Sequence, residues 1–252
     1  MGSIKRLLSA SVKDHVKAVL KRAVYGSDAV FPSTSTCGED RVLSYLLRRR
    51  QSGFFVDIGA YHPIAGSNTH VFYQRGWRGI NIDPCPGSMR AFEKERPGDI
   101  NLEIAIGDAE GEIIYHRIGG GHHQMNSVNP AFQENLFDEV SVDATTITKI
   151  PVRVQRLSSV LSAHMKPGQS IDFIAIDVEG FEESVLRSND WNVYRPVIVM
   201  IESHGPLVNG ACASPLVPLM EGYRYSFVFK TPNEIIFLNN DYKLNKSGMV
   251  VL

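Results

Sequence analysis

Four acidic residues of the 252-residue chain each end a short apolar run: Asp57, Asp83, Asp177 and Glu202. In an open parallel sheet, the ligand crevice lies beyond the carboxyl ends of the strands, where the strand order reverses. Carboxylates at that edge can accept hydrogen bonds, pair with an ammonium group or hold a hard cation. Any one of them is also a reasonable cap for the following helix, but four in equivalent positions favour a shared ligand crevice.

The first of these acids lies in the stretch "FFVDIGAYHPIAGSNTH", residues 54–70. Gly59 has no side chain, so the backbone can pass close to a ligand, and Asp57 can order water or pair with an ammonium group. A glycine turn after a strand suits a dinucleotide, a phosphate or an adenosyl cofactor. The GxGxxG fingerprint is absent, because the next glycine is Gly66, and no GK[ST] phosphate loop occurs. These two absences weaken the dinucleotide and the phosphate alternatives, respectively.

Two further acids are candidate contacts for an adenosyl cofactor. Asp83, in "GINIDP", follows Asp57 by one strand–helix–strand step, where a doubly wound domain places an acid on the ribose hydroxyls. Read alone, it is equally typical of a turn-initiating Asp-Pro pair. Asp108, in "AIGDAEG", follows the third strand near the expected adenine amino group, although an aspartate there is also an ordinary turn residue.

Acidic residues and a histidine at the ends of the fourth and fifth predicted strands form a candidate catalytic site. Asp177 and Glu179, in "FIAIDVEGFEESVL", end the fourth strand, and Glu202 and His204, in "MIESHGP", end the fifth. An alcohol needs a base or a divalent metal to become a nucleophile at neutral pH. We predict Asp177, Glu179 and His204 as catalytic, and Asp177, Glu179 and Glu202 as ligands for Mg²⁺. The alternatives are that Glu179 charges the first turn of a helix and that the histidine is structural.

Alternating strand-like and helix-like segments position these acids. Short apolar strands separated by helices predict an α/β fold with a mostly parallel sheet and helices on both faces. The runs "YRYSFVFK" and "NEIIFLNN", joined by a short turn, predict a C-terminal antiparallel hairpin. This is the Rossmann-like arrangement of class I methyltransferases. The predicted core strands are 54–58, 79–83, 100–106, 172–177 and 196–202, and the helices between them are 68–75, 87–95, 181–188 and 215–221.

The chain divides into a helical extension, residues 1–51, and a domain, residues 52–252, with a long inserted loop at about 119–149. In the extension, residues 4–24 place six basic side chains and one acid around an apolar stripe. Such a helix lies on an anionic membrane surface, or packs on its own domain or on a partner subunit, which would make a homo-oligomer. A second helix is predicted from Glu39 to Arg50.

The bulk composition excludes several classes of protein. With 26 basic and 27 acidic residues, the chain lacks the excess of positive charge typical of nucleic-acid binding. Cys37, Cys85 and Cys212 form no CxxC pair, which argues against a disulfide framework and against structural zinc. No run approaches the ~18 apolar residues of a membrane span, and no signal peptide is recognisable. We predict a cytoplasmic protein, peripheral to the inner face of the membrane if residues 4–24 bind it.

Four stretches together resemble the FkbM family of S-adenosylmethionine-dependent methyltransferases: residues 54–89, "NLEIAIGDAEGEIIYHR", "IDFIAIDVEGFEESVLRSNDW" and "RPVIVMIES". The resemblance covers about residues 52–240. It implies a class I fold, S-adenosylmethionine as the donor and O-methylation of a hydroxyl, often on a sugar. Carried over by match, Asp57 and Gly59 line the methionine portion, Asp83 holds the ribose, and the turn at 177–180 faces the acceptor. The full set of predicted cofactor-binding residues is Asp57, Gly59, Ala60, Tyr61, Ser67, Asn68, Thr69, Asp83, Asp108 and Asp177.

The predicted function is therefore O-methylation of a small-molecule or glycan hydroxyl, on a sugar of a polysaccharide, glycolipid or glycosylated metabolite. Two alternatives from other classes stand beside it. One is a nicotinamide-dependent oxidoreductase, which shares the ribose acid but needs the missing glycine fingerprint. The other is a non-catalytic scaffold that docks on a membrane or a partner through residues 4–24.

Overall fold

The computed structural model describes residues 32–118, 126–129, 147–203, 207–208, 211–212 and 214–251. Its helices are α1 (Glu39–Leu46), α2 (His70–Gln74), α3 (Met89–Glu95), α4 (Leu157–His164), α5 (Glu182–Arg187) and α6 (Leu216–Gly222). Its strands are β1 (Phe54–Ile58), β2 (Arg78–Ile82), β3 (Ile100–Leu102), β4 (Ala105–Ile106), β5 (Gly111–Ile118), β6 (Ile147–Gln155), β7 (Phe173–Ile176), β8 (Ile198–Glu202), β9 (Leu207–Val208), β10 (Ala211–Cys212), β11 (Tyr225–Lys230), β12 (Glu234–Asn239), β13 (Lys243–Leu244) and β14 (Val250–Val251).

A seven-stranded sheet in the order β11-β12-β8-β7-β1-β2-β3 forms the centre of the fold. Its five neighbouring strands β3, β2, β1, β7 and β8 run parallel. The antiparallel β11–β12 hairpin continues the sheet, with β12 pairing antiparallel to β8. Both the parallel sheet and the C-terminal antiparallel hairpin are confirmed. Because β2 and β3 extend the sheet from one side of β1 and β7 from the other, the strand order reverses between β1 and β7. A ligand crevice is expected beyond the carboxyl ends of these two strands.

Strand β1 shows why helices cover both faces of this sheet. Successive side chains of a strand point to opposite faces: Phe54 and Val56 pack with apolar residues of α4, α5 and α6, whereas Phe55 packs with residues of α1 and α2. Each fully buried side chain of this size contributes about 1.5–3 kcal/mol of hydrophobic stabilisation. The continuous apolar run therefore reflects burial on both sides, as in other parallel sheets.

Helix α1 belongs to the core on one of these faces. Leu43, Leu46 and Leu47 are buried against Phe55 and Trp77, so the hydrophobic core begins before residue 52. The helix is shorter than predicted, since it ends at Leu46 rather than at Arg50. Residues 4–24 lie outside the described ranges, and their contact with a membrane or a subunit stays a prediction.

The predicted strand 100–106 is in fact two strands. Residues 100–102 pair with β2, whereas Ala105 and Ile106 pair with β6 in a second sheet of order β4-β6-β5. After Leu102 the chain leaves the first sheet. The backbone N–H and C=O groups of Ala105 and Ile106 then find their hydrogen-bonding partners in β6.

The inserted loop is also shorter than predicted at its carboxyl end. Strands β5 and β6 pair in antiparallel register from Gly111 with Val154 to Ile118 with Ile147. Residues 147–149 are therefore strand rather than loop, because β5 needs them as hydrogen-bonding partners. Residues 119–125 and 130–146 lie outside the described ranges. Within those ranges, no helix combines the length and apolar content needed to cross a membrane.

The turn after β1 is held against the end of β7 by Gly59. Its φ of 83° lies in the left-handed region, which favours glycine. Its N–H donates to the carbonyl of Ile82 at 2.9 Å. A Cβ added to Gly59 would lie 1.6 Å from the carbonyl oxygen of Asp177. The turns after β1 and β7 therefore approach each other more closely than any side chain at this position allows.

We expect Gly59→Ala to lower the free energy of unfolding by about 3 kcal/mol or more, because the left-handed backbone and the clash with Asp177 both add cost. Gly76→Ala is the matched control: Gly76 has a φ of 91° but no atom within 4 Å of its added Cβ. The control should lose only about 1–2 kcal/mol. Urea denaturation measures both variants, and equal losses would contradict the role assigned to this contact.

Candidate active site

Asp57 lies at the carboxyl end of β1, beside the point where the strand order reverses. Its side chain is 6% exposed. The Thr69 hydroxyl donates a hydrogen bond of 2.5 Å to its Oδ2. Burial raises the pKa of Asp57, while the positive charge of Arg96 and the Thr69 hydrogen bond oppose that rise. The carboxylate is thus fixed in orientation by its neighbours and lies in an environment that favours a cationic partner.

Asp83 follows β2 and links two turns. Its carboxylate accepts the N–H of Tyr61 at 3.1 Å and the N–H of Cys85 at 2.8 Å. Burial raises the pKa of Asp83 despite these two hydrogen bonds. Tyr61 has a φ of 50°, which is strained for a residue with a side chain. The hydrogen bond to Asp83 helps to hold this strained turn, so the structure brings the first two predicted cofactor acids to adjoining turns.

The predicted Ser67–Asn68–Thr69 segment divides by burial. Ser67 and Thr69 are 4% and 0% exposed, and their hydroxyls lie 3.2 Å apart in hydrogen-bonding contact. Asn68 is half-buried, and its Oδ1 has no hydrogen-bond partner among the described residues. A buried amide oxygen without a partner costs free energy, so Asn68 is the member of the segment suited to contact a ligand.

The remaining predicted cofactor residues differ in their surroundings. Ala60 is buried, and its N–H donates to the carbonyl of Ile82 at 3.0 Å. Asp108 is exposed, its N–H donates to the Ser184 hydroxyl, and its carbonyl accepts from Arg156. Among the described residues, these contacts tie Asp108 to α5 rather than to Asp57 or Asp83. Its place beside an adenine ring stays a prediction.

Asp177, Glu179 and Glu202 converge at the carboxyl ends of β7 and β8. A carboxylate oxygen of each lies within 4.8 Å of one from each of the others. All three side chains are partly exposed, so they can reach a ligand in the crevice. The structure therefore brings together the three residues predicted as metal ligands, from two neighbouring strands. His204, predicted as a catalytic base, lies outside the described residues.

The main chain around Glu179 is strained and supported from the insertion. Glu179 has a φ of 53°. The Ser127 hydroxyl donates to the carbonyl of Glu179 at 2.7 Å, and the side-chain amide of Asn129 donates to the carbonyl of Gly180 at 2.7 Å. These two residues lie in the "MNSVNP" stretch of the insertion. Left-handed residues with side chains persist where surrounding contacts hold them, and here the contacts come from residues 126–129.

Crowding of carboxyl groups dominates the electrostatics of this cluster. Burial, followed by the charge of Glu202, raises the pKa of Asp177 well above its usual range. Burial and neighbouring acids raise the pKa of Glu179 to about 8, and that of Glu202 to about 8 as well. Burial and neighbouring acids are the largest causes of all three rises in pKa. The cluster therefore favours either retained protons or a bound cation.

Sequence reasoning missed two charged residues that the structure places behind the crevice. Glu234 lies opposite Glu202 in the β12–β8 register, is 4% exposed, and has one carboxylate oxygen with no partner among the described residues. The predicted hairpin was the available signal, because a strand that pairs antiparallel with β8 begins beside its carboxyl end. Arg96 is fully buried near Asp57. Its position among exposed charged residues in the sequence gave no signal.

Comparison with known proteins bears on this geometry. The sequence model of the methyltransferase FkbM domain matches residues 57–229, more than half of the chain. The matched range includes the turns after β1, β2 and β7. A search of curated protein sequences finds no match.

Three solved structures are similar to the chain. A methyltransferase from Geobacter sulfurreducens has 12% identity and a TM-score of 0.42, covering 94% of this chain and 92% of that one. A TehB-like SAM-dependent methyltransferase from Corynebacterium glutamicum has 12% identity and a TM-score of 0.39, covering 91% and 98%. The 1,6-didemethyltoxoflavin-N1-methyltransferase of Burkholderia thailandensis, solved with 1,6-didemethyltoxoflavin and S-adenosylhomocysteine, has 10% identity and a TM-score of 0.39, covering 90% and 86%.

The raised pKa of Glu202 predicts that stability falls as the pH rises. Folded Glu202 keeps its proton up to about pH 8, whereas an ordinary glutamate ionises near 4.5. The folded state thus binds more protons than the unfolded state between these values, and the corresponding stability is lost as the pH rises through them. We expect Glu202→Gln to flatten this decline, measured by urea denaturation across that pH range without added metal. The exposed control Glu183→Gln should leave the decline unchanged, and a matching effect of both variants would contradict the assignment.

Proposed function

The chain belongs to the FkbM methyltransferase family, and from this premise we propose that it transfers the methyl group of S-adenosylmethionine to a hydroxyl group of a sugar. The family assignment makes the protein an S-adenosylmethionine-dependent methyltransferase, which sets aside the nicotinamide-dependent and scaffold alternatives. The choice of oxygen and of a sugar is our proposal. It rests on the convergence of Asp177, Glu179 and Glu202 beside the Gly59 turn.

The cofactor is a cation, and the proposed crevice is acidic. S-adenosylmethionine carries a positive sulfonium and an ammonium group. We assign Asp57, with Gly59 and Asn68, to the methionine portion, and Asp83 to the ribose hydroxyls. A carboxylate that already accepts two backbone N–H groups, as Asp83 does, is held in one orientation and keeps lone pairs for ligand hydroxyls. Ala60 and Tyr61 line the same turn.

Methyl transfer to oxygen is a displacement at the sulfonium methyl. The acceptor oxygen forms a bond to the methyl carbon, the carbon–sulfur bond breaks, and its electron pair stays on sulfur as S-adenosylhomocysteine is formed. The acceptor loses a proton, which needs a base. Carboxyl groups with pKa values near 8, as burial gives Glu179 and Glu202, are stronger bases than ordinary carboxylates when they are ionised. We propose that the Asp177–Glu179–Glu202 cluster receives this proton.

The same cluster is a candidate site for Mg²⁺. Three carboxylates offering oxygen atoms within 4.8 Å of one another match the ligand preference of a hard divalent cation. A cation there would supply positive charge that lowers the pKa of an acceptor hydroxyl. The three residues fit the ion. The cluster could therefore act as a base or hold a metal ion, and an experiment must separate these two roles. His204 remains a proposed alternative base.

A sugar acceptor suits the chemistry of the crevice. Carboxylates accept hydrogen bonds from hydroxyl groups, and several of them in one cleft would orient a polyol. The proposed acceptors are the sugars of a polysaccharide, a glycolipid or a glycosylated metabolite. Purified protein should release S-adenosylhomocysteine with a competent glycoside, and mass spectrometry should find one added methyl, assigned to oxygen by NMR. Methylation of amine analogues alone would contradict the choice of oxygen.

Asp83→Ala should weaken binding of S-adenosylhomocysteine by about 10-fold to 100-fold, the usual effect of losing hydrogen bonds to a charged group. Asp83→Asn is the matched variant, because its single amide oxygen can still accept one of the two N–H groups of Tyr61 and Cys85. It should lose less affinity than the alanine variant. Titration calorimetry measures both, and unchanged affinity in Asp83→Ala would overturn the ribose assignment.

Asp177→Asn should lower turnover by at least about 100-fold, because the cluster loses a base or a metal ligand. Its affinity for S-adenosylhomocysteine should fall much less. The exposed Glu183→Gln serves as the control and should retain full turnover. If EDTA abolishes activity and Mg²⁺ restores it, the metal role holds. Activity that persists in EDTA would rule that role out, and a base, in the cluster or at His204, would explain the reaction.

A further inference from the structure

Arg96 follows the last turn of α3 and is a fully buried charge near the crevice. Its side chain is 0% exposed. Three aromatic rings surround the guanidinium, with their centroids 5.2 Å (Phe55), 5.3 Å (Tyr73) and 5.4 Å (Phe92) from its central carbon. A buried charge is costly unless partners compensate it. The partners of Arg96 therefore show where this charge acts.

One set of partners leads to the first cofactor acid. The Nη1 of Arg96 donates to the Thr69 hydroxyl at 2.9 Å. That hydroxyl in turn donates to Asp57 Oδ2 at 2.5 Å. Because Arg96 occupies one lone pair of the Thr69 oxygen, the hydroxyl proton is directed to the carboxylate. Arg96 thereby fixes the orientation of Asp57 without contacting it.

Another partner leads to the strand that carries the second acid. The Nε of Arg96 donates to Asp99 Oδ2 at 2.9 Å. Asp99 also accepts the backbone N–H of Gly79 at 3.0 Å and the side-chain amide of Asn81 at 3.1 Å. Both of these residues belong to β2, which delivers Asp83. A single guanidinium is thus connected to both strands that end in a proposed cofactor carboxylate.

We propose that Arg96 is a positioning residue of the cofactor site, which aligns Asp57 and Asp83 for S-adenosylmethionine through Thr69 and Asp99. The proposal rests on the assignment of these two carboxylates to the cofactor, made above. Arg96 itself touches neither the cofactor nor the acceptor. Its effect is therefore on cofactor affinity and on the pH dependence of that affinity.

The electrostatics explain why the pH dependence should change. The charge of Arg96 opposes the burial that raises the pKa of Asp57. Among the described residues, neighbouring acids act on Asp57 in the opposite sense to Arg96, and the imidazole of His70 on α2 also interacts with Arg96. These acids are Asp83, Asp99 and Asp177. Without Arg96, the Asp57 carboxyl would keep its proton to a higher pH.

The test is titration calorimetry with S-adenosylhomocysteine on three variants of the full chain. Arg96→Gln should bind at least about tenfold more weakly at neutral pH. The loss of affinity in Arg96→Gln, relative to the parent protein, should grow as the pH falls and shrink as the pH rises. Arg96→Lys should recover part of the affinity. The control Arg90→Gln changes an exposed arginine of the same helix and should bind as the parent protein does.

Thr69→Val keeps the shape of the side chain and removes only the connecting hydroxyl, so it tests the link even if Arg96→Gln fails to fold. It should weaken binding while Arg96 remains in place. Normal affinity in Thr69→Val, together with weak binding by Asp57→Ala, would overturn the positioning role alone. Normal affinity in Asp57→Ala would instead overturn the cofactor assignment and this proposal with it. A lower melting temperature in Arg96→Gln with unchanged affinity at every pH would show a structural role only.

Discussion

The close approach of two turns, after β1 and after β7, is the constraint on which the crevice depends. At the point where the strand order reverses, the Gly59 backbone lies against the carbonyl of Asp177, and no side chain fits between them. This contact sets the separation between the carboxylate that ends β1 and the cluster that ends β7 and β8. The proposed cofactor turn and the proposed acceptor turn are therefore neighbours, because the strand order reverses between β1 and β7.

Negative charge is the second organising feature of the site. Asp57, Asp83 and Asp177 are all driven toward their neutral forms by burial. A folded domain keeps such costly groups where a ligand compensates them. A cofactor with a sulfonium and an ammonium group provides that compensation on one side, and a proton or a divalent cation provides it on the other. Arg96 is the internal counter-charge on the cofactor side.

Residues 126–129 of the insertion between β5 and β6 support the proposed acceptor turn. Ser127 and Asn129 donate hydrogen bonds to the carbonyls of Glu179 and Gly180, at the strained turn after β7. A segment far away in sequence thus supports the conformation that directs Glu179 toward Asp177. Variation in such an insertion can alter the turn after β7 without changing the turn after β1, since the two turns are supported by different contacts.

The sequence predicted the sheet, the closing hairpin and the acids at the strand ends, because hydrophobic periodicity and turn residues are local signals. It misplaced the strand at 100–106, where pairing with β6 outweighed continuity with β3. The partners of two further charged residues became visible in the tertiary structure alone. Glu234 lies opposite Glu202 through the antiparallel register of β12 with β8, and Arg96 reaches Asp57 through Thr69. Both depend on contacts between residues distant in sequence, for which the chain carries no local pattern.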